Sequence, residues 1–417
     1  MNEIEITETV RMLSEQAIET ILPRFRELEA TAEENTMRVL STFRRHRVSD
    51  SLFAGTTGYG YDDKGRDTLD AIYADVFGAE AALVRIGIVN GTHAITCALF
   101  GALRAGDRLI SVTGKPYDTL CGAIGITGNV RGSLREWGVD YGQVELTREG
   151  KPNFAAIRAV AADPRVRAVI AQRSRGYSTR AALSVAELGQ IAEAVHAVNP
   201  TAAVIVDNCY GEFVETSEPT SVGADLIAGS LIKNPGGGLA PTGGYIAGRR
   251  DLVEAAAYRL TSPGIGGEVG ATLGQNRLLY QGFFGAPHTV SQALKTAVFC
   301  SRLLELMGYE TSPRWDEKRS DIIQMVKLGN EELLKRFCAG VQSGAPVDSF
   351  ATPEPWDMPG YDHKVIMAAG AFVQGASIEL SADAPMREPF CAYLQGGLTF
   401  ESGKIGVMLA ADALATE

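Results

Sequence analysis

The spacing of apolar and polar residues changes several times along the chain, and each change marks a different kind of element. Residues 5–48 show a helical pattern that predicts one long N-terminal helix. Between residues 67 and 260, short apolar runs alternate with helical patterns, which predicts a mostly parallel sheet with helices on both faces. Residues 291–307 form another helical pattern, short apolar runs follow it, and residues 404–415 form a last helical pattern. We therefore expect an α/β fold with a smaller C-terminal α+β part.

These patterns divide the 417 residues into three predicted parts. They are an N-terminal helical arm over residues 1–50, a large α/β domain over residues 51–290 and a small α+β domain over residues 291–417. The short apolar runs predicted to be strands of the small domain are 364–368, 376–380 and 394–395.

Composition and charge argue against several classes of protein. A content of 45% hydrophobic and 21% charged residues is ordinary for a globular enzyme. The net charge of −11 argues against a nucleic-acid partner, because binding phosphates requires a basic face. No apolar stretch is long enough to span a membrane, and the first residues lack the features of a signal peptide. The six cysteines and five histidines show neither disulfide nor metal-ligand spacing, so we expect a cytoplasmic protein without a metal.

Lys233 is the first residue with candidate chemistry. An apolar, strand-like run containing Leu226 and Ile227 leads into it, and a glycine run at 236–238 follows. Burial at such a strand end removes water from the ammonium group, so we expect its pKa to be lowered toward neutrality. A neutral lysine amine is the form that Schiff-base chemistry requires. The alternative is a surface lysine beside a flexible turn.

Asp207 ends a second apolar run, 202–206, which reads as a short buried strand. In open α/β sheets, ligands bind at the carboxyl ends of the strands. An aspartate at that place can keep a pyridinium nitrogen protonated, which makes pyridoxal phosphate an electron sink. A lone aspartate is as often a helix or turn cap, but a lysine one βα unit later favours the cofactor.

A possible phosphate-binding turn lies upstream, where Asn90, Gly91 and Thr92 connect a predicted strand to a predicted helix. A turn that opens a helix offers free backbone N–H groups to a phosphate, and the helix dipole adds to the attraction. Tyr117 follows the next predicted strand, where its ring can stack on a flat cofactor. Taken singly, Gly91 and Tyr117 are more often turn and core residues.

The order of phosphate turn, stacking tyrosine, strand-end aspartate and lysine resembles the fold-type I pyridoxal-phosphate enzymes. More narrowly it resembles the cystathionine and methionine lyases, in the branch labelled methionine γ-lyase family or aluminium-resistance protein. The resemblance covers nearly the whole chain. The segments that carry it are 58–67, 90–93, 113–120, 172–177, 206–213, 233–238 and 395–398.

The resemblance implies pyridoxal 5'-phosphate as the cofactor, held by Lys233, and a homodimeric active unit within a homotetramer. In that family the N-terminal arm wraps a partner subunit, although a solvated helix end fits the arm's charges equally well. A tyrosine loop of the family reaches the neighbouring subunit's cofactor phosphate. Tyr61 matches that tyrosine better than Tyr59 does, and Ser230 is a further candidate for the phosphate.

Two arginines of the family pattern are absent here. Asp63 stands where an arginine follows the loop tyrosine, so Lys64 or Arg66 is expected to neutralise the phosphate. The segment before the last Gly-Leu also lacks the arginine that would hold the substrate carboxylate, whose planar shape suits a guanidinium group. Arg387 lies nearby in the sequence and is the first candidate to bind the substrate carboxylate, with Arg173 and Arg175 as competing candidates. Arg173 or Gln172 is instead a candidate contact of the phenolic oxygen of the cofactor.

We therefore expect a lyase that catalyses γ-elimination or γ-replacement, with Lys233 as the base and Tyr117 as a candidate acid. The substrate is either a sulfur amino acid such as methionine or cystathionine, or canavanine, which would give homoserine and hydroxyguanidine. A guanidine-bearing substrate would need a carboxylate, for which Asp63, Glu212 and Glu268 are candidates. The alternatives are an aminotransferase or aldolase of the same fold, or a non-catalytic cofactor-binding protein.

Overall fold

A long helix begins the fold. The structure is a computed structural model that describes residues 4–127, 130–358 and 360–415. Its first helix, α1 (Glu8–Arg45), has 38 residues and buries one face, which includes Val10, Ala17 and Ile21. This helix packs along α8 (Asn276–Leu306). The N-terminal helix predicted from the apolar pattern is confirmed.

Seven strands of the described residues form the central sheet of the larger part. In chain order the strands are β1 (Ala81–Arg85), β2 (Arg108–Ser111), β3 (Asp140–Gln143), β4 (Val166–Gln172), β5 (Ala203–Asp207), β6 (Leu226–Ser230) and β7 (Gly244–Gly248). In space their order is β1-β7-β6-β5-β4-β2-β3, with β7 antiparallel to both of its neighbours and the other pairs parallel. The mostly parallel sheet predicted from the sequence is confirmed.

Helices cover both faces of this sheet. Successive strand residues enter different hydrophobic cores, since Ile205 belongs to one core and Val204 and Val206 to the other. Burial on both faces explains why these strands appear in the sequence as continuous apolar runs. The helices of this part are α2 (Lys64–Phe77), α3 (Gly91–Ala102), α4 (Asp118–Ile124), α5 (Phe154–Ala161), α6 (Val185–His196) and α7 (Arg250–Leu260).

A second, antiparallel sheet follows α8. The elements of this part are β8 (Glu310–Ser312), β9 (Gln324–Lys327), α9 (Glu331–Ser343), β10 (Val365–Ala369), β11 (Ser381–Pro385), β12 (Cys391–Gln395) and α10 (Phe400–Ala415). The five strands among the described residues have the spatial order β10-β11-β12-β9-β8, and the helices α9 and α10 pack against each other beside the sheet. This arrangement matches the smaller α+β part that the sequence predicts.

Two boundaries differ from the sequence prediction. The run 376–380 is not a strand, because the chain turns there and pairs only from Ser381 onward. The long helix α8 begins at Asn276 rather than at residue 291, because its first turns are buried against the large part despite their glycines. Helix α8 is thus continuous across residue 290, and the division into domains at that residue stays a prediction.

The carboxyl ends of three neighbouring parallel strands define one edge of the large sheet. The strand ends are Gln172, Asp207 and Ser230, and Gln172 pairs in register with Asp207. Side chains that follow these strands therefore meet at the place where open α/β sheets bind their ligands.

Candidate active site

Lys233 lies just after β6, with its Nζ atom 3.9 Å from the centre of the Tyr210 ring. Burial lowers the pKa of Lys233, but the acidic groups that face it, Cys209, Tyr210 and Asp207, outweigh this effect and raise its pKa above the ordinary value. The pKa lowered toward neutrality that the sequence predicted is therefore wrong. The physical reason is that the same strand ends that bury the amine also present acidic partners to it.

Asp207 ends β5 and is only 6% exposed. One of its carboxylate oxygens, Oδ1, accepts a hydrogen bond of 3.1 Å from the backbone N–H of Cys209. Burial raises the pKa of Asp207, and the positive charge of Lys233 opposes that shift. The structure thus brings Asp207 and Lys233 together as an interacting pair on adjacent strand ends.

The Asn90 turn packs against the same strand ends. The side chain of Asn90 caps α3 by accepting the backbone N–H of His93 at 2.8 Å. A Cβ atom on Gly91 would lie 2.9 Å from Sγ of Cys209 and 3.5 Å from Cβ of Ser230, so only glycine fits there without a shift. Thr92 bonds Thr119 through their side-chain hydroxyls at 2.7 Å.

Ser230 supplies an observation that points to a ligand. Its hydroxyl oxygen is buried and has no hydrogen-bond partner within the described part of the chain. Buried polar atoms are normally paired. The N-terminal end of α3 and an unpaired hydroxyl therefore lie side by side, which fits the phosphate group of pyridoxal phosphate.

Tyr117 precedes α4 and lines a cavity of about 390 Å³. Its hydroxyl lies 2.6 Å from the hydroxyl of Tyr361. The Tyr177 ring meets it edge to face, with the ring centres 5.7 Å apart. Gln172 and Arg180 line the same cavity.

Three site residues were missed by sequence reasoning. The hydroxyl of Tyr177 donates to Oδ2 of Asp383 at 3.0 Å, and the side chain of Gln395 donates to the same oxygen at 2.9 Å. Asp383 and Gln395 come from β11 and β12, more than 100 residues beyond the cofactor motifs. Tyr177 and Gln395 stood in segments that carried the family resemblance, whereas Asp383 gave no signal besides a lone acid in the run 381–385.

Tyr59 and Tyr61 face solvent, with exposures of 72% and 59%. Their rings stack on each other with centres 5.4 Å apart. Lys64, the first residue of α2, is also exposed. Arg66 is instead buried, with its guanidinium group donating to the carbonyl of Gly60 at 2.6 Å and to Asp67 at 2.9 Å. Arg66 therefore stabilises the loop that carries Tyr59 and Tyr61, and Lys64 is the better candidate of the two to bind a phosphate.

The three candidate arginines lie in different surroundings. Arg387 is exposed, lines the Tyr117 cavity and donates to the backbone carbonyl of Tyr177 at 3.2 Å. Arg175 lines the cavity too, but its guanidinium group donates to the carbonyl and hydroxyl of Ser312 at 2.8 and 3.1 Å. Arg173 is fully buried and pairs with Glu218 at 3.1 Å. The guanidinium group of Arg173 is therefore not available to a substrate carboxylate.

Two of the three candidate carboxylates for a guanidine group are engaged within the fold, and the third, Glu268, is exposed. Asp63 caps α2 and accepts hydrogen bonds from the hydroxyls of Thr56 and Thr272, so it is not free for a ligand. Glu212 is completely buried, and burial raises its pKa to about 8, which favours its uncharged form at neutral pH. The backbone carbonyl of Glu268 lies 3.5 Å from Arg66.

The central sheet with its helices and the second sheet form the fold of a fold-type I pyridoxal-phosphate enzyme. The chain matches the methionine gamma-lyase family over residues 10–415 and belongs to that family. It is accordingly a lyase, and the family implies pyridoxal phosphate as its cofactor.

Known proteins and structures resemble the chain over most of its length. Protein YnbB of Bacillus subtilis (strain 168), which is uncharacterized, is 53% identical over 390 residues, or 93% of this chain and 92% of YnbB. The crystal structure of a carbon-sulfur lyase involved in aluminum resistance from Clostridium novyi NT is 53% identical, covers 98% of this chain and 96% of its own, and superposes with a TM-score of 0.94. The pyridoxal-5'-phosphate dependent protein YhfS from Escherichia coli, 17% identical over 92% of this chain and 96% of its own, shares the fold with a TM-score of 0.63.

The described residues contain no cluster of three or more metal-binding side chains. None of the helices in the described ranges combines the length and apolar character needed to cross a membrane.

Proposed function

We propose that this protein is a pyridoxal-phosphate lyase that removes a substituent from the γ-carbon of an amino acid, by elimination or by replacement. The observation that carries the proposal is the meeting of Lys233, Asp207 and the Asn90 turn at one strand edge, next to the unpaired hydroxyl of Ser230. The relative from Clostridium novyi is named a carbon-sulfur lyase, which is consistent with this reaction.

Different residues of the site would hold different parts of the cofactor. Lys233 would bind it covalently, Asp207 would hold its ring nitrogen protonated, and Tyr117 would stack on its ring. Gly91, Thr92 and Ser230 would bind its phosphate, with Tyr61 of a partner subunit as a further contact. When bound, pyridoxal phosphate supplies an electron sink for negative charge that develops at the α-carbon of the substrate.

Proton transfers then fall to the chain's own side chains. Lys233, whose amine is uncharged when the substrate displaces it from the cofactor, would take the proton from the α-carbon of the substrate and hand it on to the cofactor. The same amine would then take a second proton from the β-carbon as the substituent leaves the γ-carbon. The hydroxyl of Tyr117 donates a proton to the departing group. Arg387 holds the substrate carboxylate, because it alone of the three candidate arginines is exposed at the cavity.

The substrate is proposed by class. Sulfur amino acids such as methionine and cystathionine are the default, and canavanine, with homoserine and hydroxyguanidine as products, is the second candidate. Asp63 and Glu212 do not offer a free charge to a guanidine group. Glu268, whose side chain is exposed, is the candidate carboxylate that remains.

A panel of amino acids tests the reaction. Incubation with methionine, cystathionine or canavanine should release ammonia and 2-oxobutanoate, or homoserine, without any amino acceptor. If amino acids become 2-oxo acids only when an amino acceptor is present, the protein is an aminotransferase and the lyase proposal is wrong.

Assembly and location complete the proposal. We propose a homodimeric active unit, within a homotetramer, in the cytoplasm. The exposed pair Tyr59 and Tyr61 supports the dimer, since exposed aromatic side chains commonly mark interfaces. The six cysteines are free thiols, which suits a reducing compartment.

A further inference from the structure

Four polar side chains form a connected cluster between the two sheets. The hydroxyls of Tyr117 and Tyr361 lie 2.6 Å apart, and Tyr177 packs against both rings with centre distances of 5.7 and 5.8 Å. The hydroxyl of Tyr177 bonds Asp383 at 3.0 Å. The cluster therefore connects Tyr117, at the proposed cofactor site, to the carboxyl group of Asp383, which is only 5% exposed.

The hydrogen bonds at Asp383 have a fixed direction. An ionised carboxylate only accepts hydrogen bonds, so Tyr177 must donate its proton to Asp383. Gln395 donates to the same oxygen, Oδ2, at 2.9 Å. The oxygen of Tyr177 can then only accept, and its hydrogen-bonding neighbours are the hydroxyls of Tyr117 and Tyr361. The direction of these hydrogen bonds is therefore fixed as long as Asp383 is charged.

The charge of Asp383 also acts on the hydroxyls themselves. Burial raises the pKa values of Tyr117 and Tyr177, and the nearby negative charge of Asp383 raises them further. These phenols therefore stay protonated and available as donors. The titratable groups that face Asp383 are Tyr177, Lys233, Tyr210, Tyr117, Tyr361 and Cys338.

We propose that Asp383 is a positioning residue for the lyase reaction, which orients the hydroxyl groups of Tyr177, Tyr361 and Tyr117 and keeps them protonated beside Lys233. The inference rests on the proposed function, because it makes Tyr117 the donor to the departing group. Asp383 acts through Tyr177 and does not itself touch the substrate.

A pH dependence follows from this role. Burial raises the pKa of Asp383 to about 6, against the opposing hydrogen bonds of Tyr177 and Gln395 and the charge of Lys233. Below that pH the carboxyl group of Asp383 is neutral and can donate as well as accept a hydrogen bond. It then no longer fixes the direction of the hydrogen bonds among the three tyrosine hydroxyls. Turnover should therefore fall as the pH drops through about 6.

The variant Asp383→Asn separates charge from structure. Both hydrogen bonds reach the same oxygen, so an asparagine whose amide oxygen takes that place keeps both bonds and loses only the charge. The amide oxygen also only accepts and keeps the direction of the Tyr177 hydroxyl, but a hydrogen bond to a neutral acceptor is about half as strong as one to a carboxylate, so we expect kcat to fall by about tenfold. KM should stay unchanged, the thermal midpoint should be retained and the loss of turnover near pH 6 should disappear. Wild-type kcat with the acid limb intact would overturn the inference.

Tyr177→Phe and Tyr393→Phe form a matched pair of tyrosine variants. The Tyr393 ring lies 5.4 Å from that of Tyr177, but in the described part of the chain its hydroxyl takes no part in the cluster. Tyr177→Phe should reproduce the loss of kcat, whereas Tyr393→Phe should leave it near wild type. Equal losses in both variants would mean that the cluster matters only for packing.

An infrared titration without substrate separates this inference from the proposed function. The carboxyl band lost in Asp383→Asn identifies Asp383 and should titrate near pH 6 in the wild type. Tyr177→Phe should move that titration to higher pH, because it removes a hydrogen bond that stabilises the charged form. An unmoved band would overturn the coupling. A protein inactive on every amino acid tested would contradict the proposed function and leave this titration as the test of the cluster.

Discussion

Arg173 and Glu218 form an ion pair of 3.1 Å in which neither side chain is exposed to solvent. The same guanidinium group donates to Asn208 at 2.8 Å and to Glu215 at 3.0 Å. These contacts join the strand ends β4 and β5 to the segment that precedes β6. Arg173 therefore stabilises the chain segments that surround the site and is not free to bind a substrate.

Arg173→Ala should destabilise the fold without acting on the substrate. Removing one partner of a buried ion pair leaves the other charge unpaired and costs about 3–5 kcal/mol. Urea denaturation of Arg173→Ala beside the wild type measures the loss, with Arg387→Ala as the exposed control. A free energy of unfolding unchanged within about 0.5 kcal/mol would contradict this role.

Arg387→Ala should affect binding of the substrate and leave stability alone. A carboxylate that loses a bidentate guanidinium partner should bind about tenfold or more weakly, so KM should rise while kcat changes little. Steady-state kinetics on the best substrate measure both constants. The exposed Arg135, on a surface turn away from the cavity, provides the control variant Arg135→Ala. If KM is unchanged in Arg387→Ala, the carboxylate is held by Arg175, the remaining candidate that lines the cavity.

Much of the fold could be predicted because burial leaves a local signature. The strands that end at Asp207 and Ser230 are apolar runs, and a residue at the end of such a run lies at the carboxyl edge of the sheet. The partners of Tyr117 could not be predicted in this way. Asp383 and Gln395 reach the site through the register of β11 against β12, which depends on tertiary packing and leaves no periodic pattern.

The errors have a similar origin. The pKa of Lys233 was predicted from burial alone, but the acidic side chains that follow β5 reverse the effect of burial. The role of Arg173 was inferred from its residue type, and only the structure shows that Glu215 and Glu218 surround it.

Glu212 should make the folded state less stable as the pH rises. Burial raises its pKa to about 8 in the folded protein, whereas an unfolded glutamate titrates near 4.3. Between these values only the folded state holds the proton, so stability decreases with increasing pH and becomes level above about 8. At about 1.4 kcal/mol per pKa unit, the loss amounts to a few kcal/mol.

Glu212→Gln isolates this contribution. A glutamine keeps the 2.8 Å hydrogen bond from the hydroxyl of Tyr245 and stays neutral at every pH. Urea denaturation between pH 5 and about pH 8.5 should show the wild type losing stability relative to the variant. A constant difference between the two proteins across this range would contradict the prediction.

Mixed subunits should share their active sites. If Tyr61 serves the partner's cofactor, Tyr61→Phe and Lys233→Ala subunits should each be inactive alone, and mixing them should restore about a quarter of wild-type activity through hybrid dimers. In the control mixture, subunits that carry both substitutions replace those with Tyr61→Phe, and no activity should return. A fully active monomer in sedimentation would contradict the shared site.

The most direct test of the account is to identify the lysine that binds the cofactor. The protein, loaded with pyridoxal phosphate and reduced with borohydride, should carry the cofactor on the peptide that contains Lys233. Lys233→Ala should lose both the label and nearly all turnover, while Lys327→Ala, at the end of β9 in the small sheet, should keep both. A label on another lysine, or a wild-type protein that takes up no label, would contradict the assignment of this site.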